Sequence, residues 1–321
     1  MSESVPPPPA GGNDWQRRLI DRFAFEVLAE QRRSRRWGIF FKLLGFVYLF
    51  LLLAAYSGSS WRTGVITAGR HTSLINIQGI ISDDADASAD NIIGSLREAF
   101  EDKNTAAVIL RINSPGGSPV QAGYINDEIY RLRQKHPDIK VYAVITDICA
   151  SGGYYIASAA DEIYADKASI VGSIGVLMDG FGFVGTLQKL GIERRLLTAG
   201  EHKGFLDPFS PEKPDEVAHI QKLLNEIHEQ FINTVKKGRR DRLKLDDPQL
   251  FSGLVWTGVE ALELGLVDGL GSSSYVAREV IKEEKIVDYT HKQDYFERFT
   301  NRMGATLLNA FNRLGESTLL R

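Results

Sequence analysis

The chain has 321 residues and a net charge of −3, from 38 Lys+Arg against 41 Asp+Glu, so no basic excess points to nucleic acid. Hydrophobic residues make up 43% and charged residues 25%, an ordinary balance for one large folded domain or two small ones. The single cysteine, Cys149, excludes an internal disulfide and a Cys-rich zinc site, and no His-Glu-x-x-His run offers a metal-hydrolase motif.

Residues 1–36 read as a cytoplasmic N-terminal segment. Its "PPPPAGG" stretch predicts disorder. Residues 15–36 then place Leu19, Phe23 and Val27 at helical spacing, the pattern of a short helix at a membrane surface. Residues 37–56, "WGIFFKLLGFVYLFLLLAAY", predict a transmembrane helix, since about 20 apolar residues span a bilayer. Their one charge, Lys42, lies near the start and can snorkel to the headgroups. "RRSRR" at 32–36 immediately precedes the run, so the positive-inside rule leaves the N-terminus in the cytoplasm. A cleaved signal peptide, using the small pair Ala54-Ala55, is the competing reading, but the leader is too long for a typical n-region. The expectation is a single-pass protein of the bacterial inner membrane, with everything after a linker at 57–70 on the periplasmic side.

A folded domain is expected over 71–290. "SLINIQGII" predicts a strand, "ADNIIGSLREAFED" an amphipathic helix and "AAVILRI" a strand buried on both faces. "VQAGYINDEIYRLRQK" predicts a helix and "KVYAVIT" a strand. This alternation means a parallel α/β fold. Shorter strands are expected in "EIYAD", "SIVGSIGV" and "ERRLLTA". A polar loop, "GEHKGFLDPFSPEKP", leads into a helix at about 215–240. A short helix and a strand follow in "TGVEALELGLVDGLGSSS", and another helix begins near Ser274. Residues 291–321 predict an amphipathic C-terminal helix.

Four stretches could carry chemistry. "RINSPGGSP", Arg111 to Pro119, follows a buried strand, where parallel sheets bind ligands. The glycines let backbone N–H groups face a ligand, as in an oxyanion hole. The stretch reads equally as an ordinary turn with Ser114 or Ser118 as helix cap. Ser151 in "CASGGYY" also follows a strand and precedes a helix. It reads equally as a cap and as a nucleophile at a helix N-terminus. The third stretch, "AGEHKGFLDPFSP", holds two candidate bases. Histidine as a residue type titrates near neutrality, and His202 has Asp207 nearby in sequence, whereas a lysine serves as base at neutral pH only in a dry pocket. Spacing alone makes Lys203 a solvated loop lysine. The fourth, Ser173 in "SIVGSIGV", either orients such a lysine or is satisfied by backbone.

In this order, "NSPGG", "ASGGYYIA", "GSIGV", "GEHKGFLDPFSP" and "GLVDGLG" resemble the signal peptide peptidase A family of membrane-bound serine peptidases, over about residues 70–285. The resemblance implies a fold like that of the Clp protease subunit and the crotonases, built of repeated β-β-α and β-α units. It implies Ser151 as nucleophile, Lys203 as base, Ser173 as orienter of the lysine amine, and the amides of Gly117 and Gly152 as oxyanion donors. It implies no metal or other cofactor. Each motif occurs once, matching the half-length form of the family, which forms a homo-oligomeric ring, commonly of eight subunits. The expected substrates are hydrophobic peptides, above all remnant signal peptides left by signal peptidase. General quality control of membrane proteins is the alternative role. A crotonase-type acyl-CoA enzyme and a non-catalytic scaffold are the rival classes. One departure is Pro119, which follows "GGS" and has no N–H to offer a bound peptide strand.

Overall fold

The computed structural model describes residues 35–50, 69–244 and 246–291. The chain divides into two units, Met1–Ile66 and Thr67–Arg321. In the first, residues 35–50 form helix α1, exposed along its whole length, with Trp37, Phe41, Phe46 and Phe50 among its apolar side chains. Among the described residues no helix is long and apolar enough to cross a membrane. The end of the expected membrane span (51–56), the segment 1–34, most of the linker and the C-terminal helix beyond 291 lie outside the described residues.

The second unit runs β1 (His71–Gln78), α2 (Ala89–Glu101), β2 (Thr105–Ser114), α3 (Pro119–Lys135), β3 (Lys140–Ala150), α4 (Gly152–Ala157), β4 (Glu162–Ala165) and β5 (Ile170–Gly172). It continues through α5 (Val184–Lys189), α6 (Pro214–Arg239), β6 (Val255–Thr257), α7 (Gly258–Glu263), β7 (Gly269–Leu270), α8 (Ser273–Tyr275) and β8 (Ile286–Asp288). A π-helical stretch, Val276–Ile281, prolongs α8. One eight-stranded sheet has the order β6-β5-β3-β2-β1-β8, with β4 pairing β3 and β7. All pairs are parallel except β5–β6.

The apolar run of β2 shows why it lacks alternation. Val108, Leu110 and Ile112 join a core with Ile92 and Leu96 of α2 and Ile125 and Ile129 of α3. Ala107 and Ile109 face the other way, onto Tyr142, Val144, Val276 and Ala277. Both faces are covered, so both sets of side chains are apolar. Helix α3 starts where Ser118 accepts the Gln121 N–H at 3.4 Å and Pro119 takes the first helical position. A missing N–H has no effect there, because the first turn has no intrahelical acceptor for it.

Behind the sheet, Arg239 of α6 is wholly buried. Its Nη1 and Nη2 donate to the Asp268 carboxylate at 2.7 and 2.9 Å, and its Nε to the Gly265 carbonyl at 3.0 Å. Arg242 adds a 3.0 Å bond to Asp268, whose other oxygen accepts the Ile163 N–H. Burial pushes Asp268 up, but Arg239, that N–H and Arg242 outweigh it and hold the carboxyl below its ordinary value. The cluster ties α6 to β4 and to the approach to β7.

Three sequence expectations change. The stretch "ERRLLTA", residues 193–199, is not a strand: it is exposed and pairs with no strand among the described residues. The strand expected in "SIVGSIGV" ends at Gly172, because Ser173 turns away with φ 50°. The short strands β6 and β8 and helix α5 were not foreseen. β6 and β8 have three residues each, too short for a period, and their partners β5 and β1 lie far away in sequence.

Candidate active site

Register brings three turns together at the carboxyl ends of neighbouring strands. Ser114 of β2 pairs with Cys149 of β3, and Ala150 of β3 with Gly172 of β5. The chain therefore leaves β2 into "PGGS", β3 into Ser151 and β5 into Ser173 side by side.

Ser151 stands at φ 53°, ψ −122°, a conformation costly for any residue but glycine. Two bonds hold it there. Its N–H donates to the Gly172 carbonyl at 2.9 Å, and its carbonyl accepts the Tyr155 N–H at 2.9 Å. Its side chain makes no capping hydrogen bond, so the cap reading of Ser151 fails and the hydroxyl is left to the cavity. This strained strand-to-helix turn resembles a nucleophile elbow in setting, though the Gly-x-Ser-x-Gly sequence is absent. Helix α4 has only six residues, so its dipole is small and individual amides matter more.

The facing turn is shaped by two glycines. Gly116, at φ +102°, has room for no side chain: a Cβ there would lie 2.7 Å from the Ser151 Cβ. At Gly117, φ +148°, a Cβ would lie 2.1 Å from the Ile81 carbonyl oxygen. The turn is braced from β1's side, where Ile81 N–H donates to the Gly116 carbonyl and Ser118 N–H to the Ile81 carbonyl. The Ser114 hydroxyl donates to the Gly79 carbonyl at 2.6 Å and accepts the Gly116 N–H at 3.1 Å. This leaves the amide of Gly117 close against Gly152: a Cβ on Gly152 would lie 3.3 Å from the Gly117 nitrogen. Neither amide donates to a backbone carbonyl among the described residues.

Ser151, Gly152, Gly117 and Ser173 line one cavity of about 580 Å³. Its lining mixes apolar side chains, Tyr155, Phe231, Val176 and Leu177, with polar ones, Gln230 and Ser252. Ser173 also has positive φ, and it is fixed by its N–H donating to Leu254 carbonyl at 2.7 Å. His228 of α6 secures the next residue through Nε2, donating to the Ile174 carbonyl at 3.0 Å. Directly behind the nucleophile turn, Cys149 is wholly buried, and burial pushes its thiol far above the ordinary value. It is an inert core residue.

Lys203 does not join this cluster. It lies in a run of turns at 201–206, is exposed, and is absent from the cavity wall. His202 beside it is exposed too. The pairing of His202 with Asp207 is not formed. Asp207 accepts from the Ser210 hydroxyl at 2.7 Å and from Arg194 at 3.3 Å, and Ser210 first, then Arg194, hold its carboxyl below the ordinary range. The chain between Ser173 and Lys203 exposes Leu177, Met178, Phe181, Leu190 and Leu197, the last at 96%. Among the described residues no group of three or more His, Cys, Asp or Glu could hold a metal ion.

Sequence reasoning missed the residues that shape this site from a distance. Ile81 and Leu254 act through their carbonyls and His228 through one ring nitrogen, and none carries a motif.

Known proteins resemble this chain in sequence. The profile of peptidase family S49 matches residues 133–287, which include Ser151, Ser173 and Lys203. Protease 4 of Haemophilus influenzae is 34% identical over 237 residues, 71% of this chain and 37% of that protein. Serine protease SPPA, chloroplastic, of Arabidopsis thaliana is 29% identical over 278 residues, 82% of this chain and 39% of that protein. A Brucella melitensis protein named Na(+)/H(+) antiporter NhaA is 52% identical over 178 residues, 56% of this chain but only 24% of its own length. The chain thus spans well under half of each of these three relatives.

Proposed function

We propose that this chain, which belongs to peptidase family S49, is a serine endopeptidase that uses Ser151 as its nucleophile and Lys203 as its base. The observation that carries this reading is the strained Ser151 turn, which lies in one cavity beside two amides, those of Gly117 and Gly152, that donate to no backbone carbonyl among the described residues.

In the proposed reaction, the Ser151 hydroxyl attacks a peptide carbonyl as its proton passes to the neutral Lys203 amine. The carbonyl oxygen takes up negative charge against the Gly117 and Gly152 N–H groups. The tetrahedral intermediate collapses, the C–N bond breaks, and Lys203 protonates the leaving amine. A water then gives its proton to Lys203 and its hydroxyl to the acyl carbon; the C–O bond to Ser151 breaks, Lys203 returns the proton to the Ser151 oxygen, and the acid leaves. Ser173 orients the lysine amine. No metal or other cofactor enters.

For this chemistry the Lys203 amine must lie in the cavity rather than in solvent. We propose that self-association brings this about. The exposed apolar stretch from Leu177 to Leu197 lies between the two catalytic residues in the chain, and burying it against another copy would dry the cavity rim. A closed ring is the expected assembly. The substrates are hydrophobic peptides, which the apolar lining residues Tyr155, Val176 and Phe231 suit, and remnant signal peptides are the proposed natural class. The proposed setting is a single-pass anchor at 37–56 in a bacterial inner membrane, with the catalytic domain periplasmic. The exposed apolar helix at 35–50 supports it.

The test is cleavage of a hydrophobic reporter peptide by the full chain in detergent or liposomes. S151A and K203A should each abolish turnover and H202A should not. Loss in H202A with activity retained in K203A would overturn the base assignment.

A further inference from the structure

A buried carboxylate of helix α6 ties the Lys203 turns to that helix. Helix α6 opens Lys213-Pro214-Asp215-Glu216, with Lys213 at the N-cap and making no side-chain cap. A glutamate at the third helical position normally turns back to the N-cap N–H. Glu216 does not. Its Oε2 reaches across to accept the Leu206 N–H at 3.1 Å, three residues beyond Lys203. Its Oε1 accepts from the Lys213 ammonium at 3.0 Å. Glu216 is a buried carboxylate, 4% exposed, while Lys213 is largely in solvent. Leu206 N–H first, then Lys213, hold the Glu216 carboxyl below its ordinary range, so it is the charged form that binds the loop.

Two further features mark this point. Leu206 has φ 49°, a strained value for a branched residue that persists only where its surroundings impose it. The Phe205 ring meets His219, one turn along α6, edge-on at 5.8 Å. By contrast, Lys203 itself is held only by local turns, its N–H donating to Gly200 carbonyl and Phe205 N–H to His202 carbonyl.

We infer that Glu216 is a positioning residue for the base: its carboxylate clamps the Leu206 amide to the first turn of α6 and so fixes where the Lys203 amine can reach. This rests on the Ser151–Lys203 reading above. The acceptor oxygen is what matters, and the Lys213 ion pair is secondary.

The test uses the full-length protein with E216M, E216Q, E216A and K213A. Methionine keeps the length and suits a buried site but accepts no hydrogen bond, whereas glutamine keeps an acceptor without the charge. E216M and E216A should lower kcat about tenfold or more with little change in KM, as misplacing a catalytic group does. E216Q should regain most of that loss, and K213A should stay near wild type. Amide exchange over residues 200–207 should speed up in E216M and not in K213A. Wild-type kcat and exchange in E216M, or a loss in K213A equal to that in E216M, would overturn the role. If K203A proved active, the dyad and this role would fall together. An inactive K203A beside a fully active E216M would overturn the Glu216 role alone.

Discussion

The ends of β2, β3 and β5 and the segment from Leu177 to Lys213, which the proposed dyad would join, are held by opposite means. At the strand ends, every element is fixed by the sheet: register sets Ala150 beside Gly172, and carbonyls of Gly172 and Leu254 pin two residues at positive φ. The second segment has only one short helix, α5, and exposes large apolar side chains to solvent. Rigid strand ends hold Ser151, Gly117 and Gly152, the proposed nucleophile and oxyanion donors, in place. Lys203, the proposed base, lies on a segment that exposes Leu177, Phe181 and Leu197.

The largest expected effects break the first region. S151A should reduce peptide turnover by about 10⁴-fold or more, because a nucleophile acts as a unit with its base. K203A should match it, and a double variant should be no worse, which a side-by-side kcat measurement reads directly. Next comes G117A. The added methyl would collide with the Ile81 carbonyl, so the turn must shift and its amide with it. A loss of about 10²- to 10³-fold in kcat is expected, with KM less affected.

The scaffold behind the strand ends should respond in stability. R239M leaves Asp268 buried without its main partner and should cost about 3–5 kcal/mol, read by denaturant unfolding. Glu128 is expected to report acid sensitivity. Arg131, then Arg97, outweigh its burial and lower its carboxyl to about 2 from an ordinary 4.5. A folded pKa below the unfolded one means stability that is complete above about pH 4.5 and lost as pH falls toward 2. Thermal melts of E128Q should lose that part of the acid slope. The smallest effect on the single subunit should come from L197S, since Leu197 is 96% exposed. Its melting point should hardly move. Its assembly, followed by light scattering or sedimentation, should weaken, which would sharpen the contrast between the two regions.

The sequence made the first region readable and the second only in name. The buried runs "AAVILRI" and "KVYAVIT" declare central parallel strands, and the glycine-rich turns after them fall where such sheets bind ligands. What composition could not reveal is conformation. Ser151 and Ser173 are not glycines, yet both adopt positive φ, imposed by carbonyls from β5 and from the chain before β6. The edge strands β6 and β8 owe their existence to partners far along the chain, and three residues show no period. "ERRLLTA" has strand-like content, but in the single chain nothing pairs with it, and propensity without a partner does not make a strand. Lys203 was visible as a motif residue only through resemblance. Glu216, which grips its loop, looked like an ordinary residue of a helix's first turn.

The most direct test of the account is the rate at which a fluorophosphonate phosphonylates the assembled full-length protein, compared with K203A and H202A. The account predicts labelling confined to Ser151, nearly abolished in K203A and unchanged in H202A. Wild-type labelling in K203A, or its loss in H202A, would contradict it.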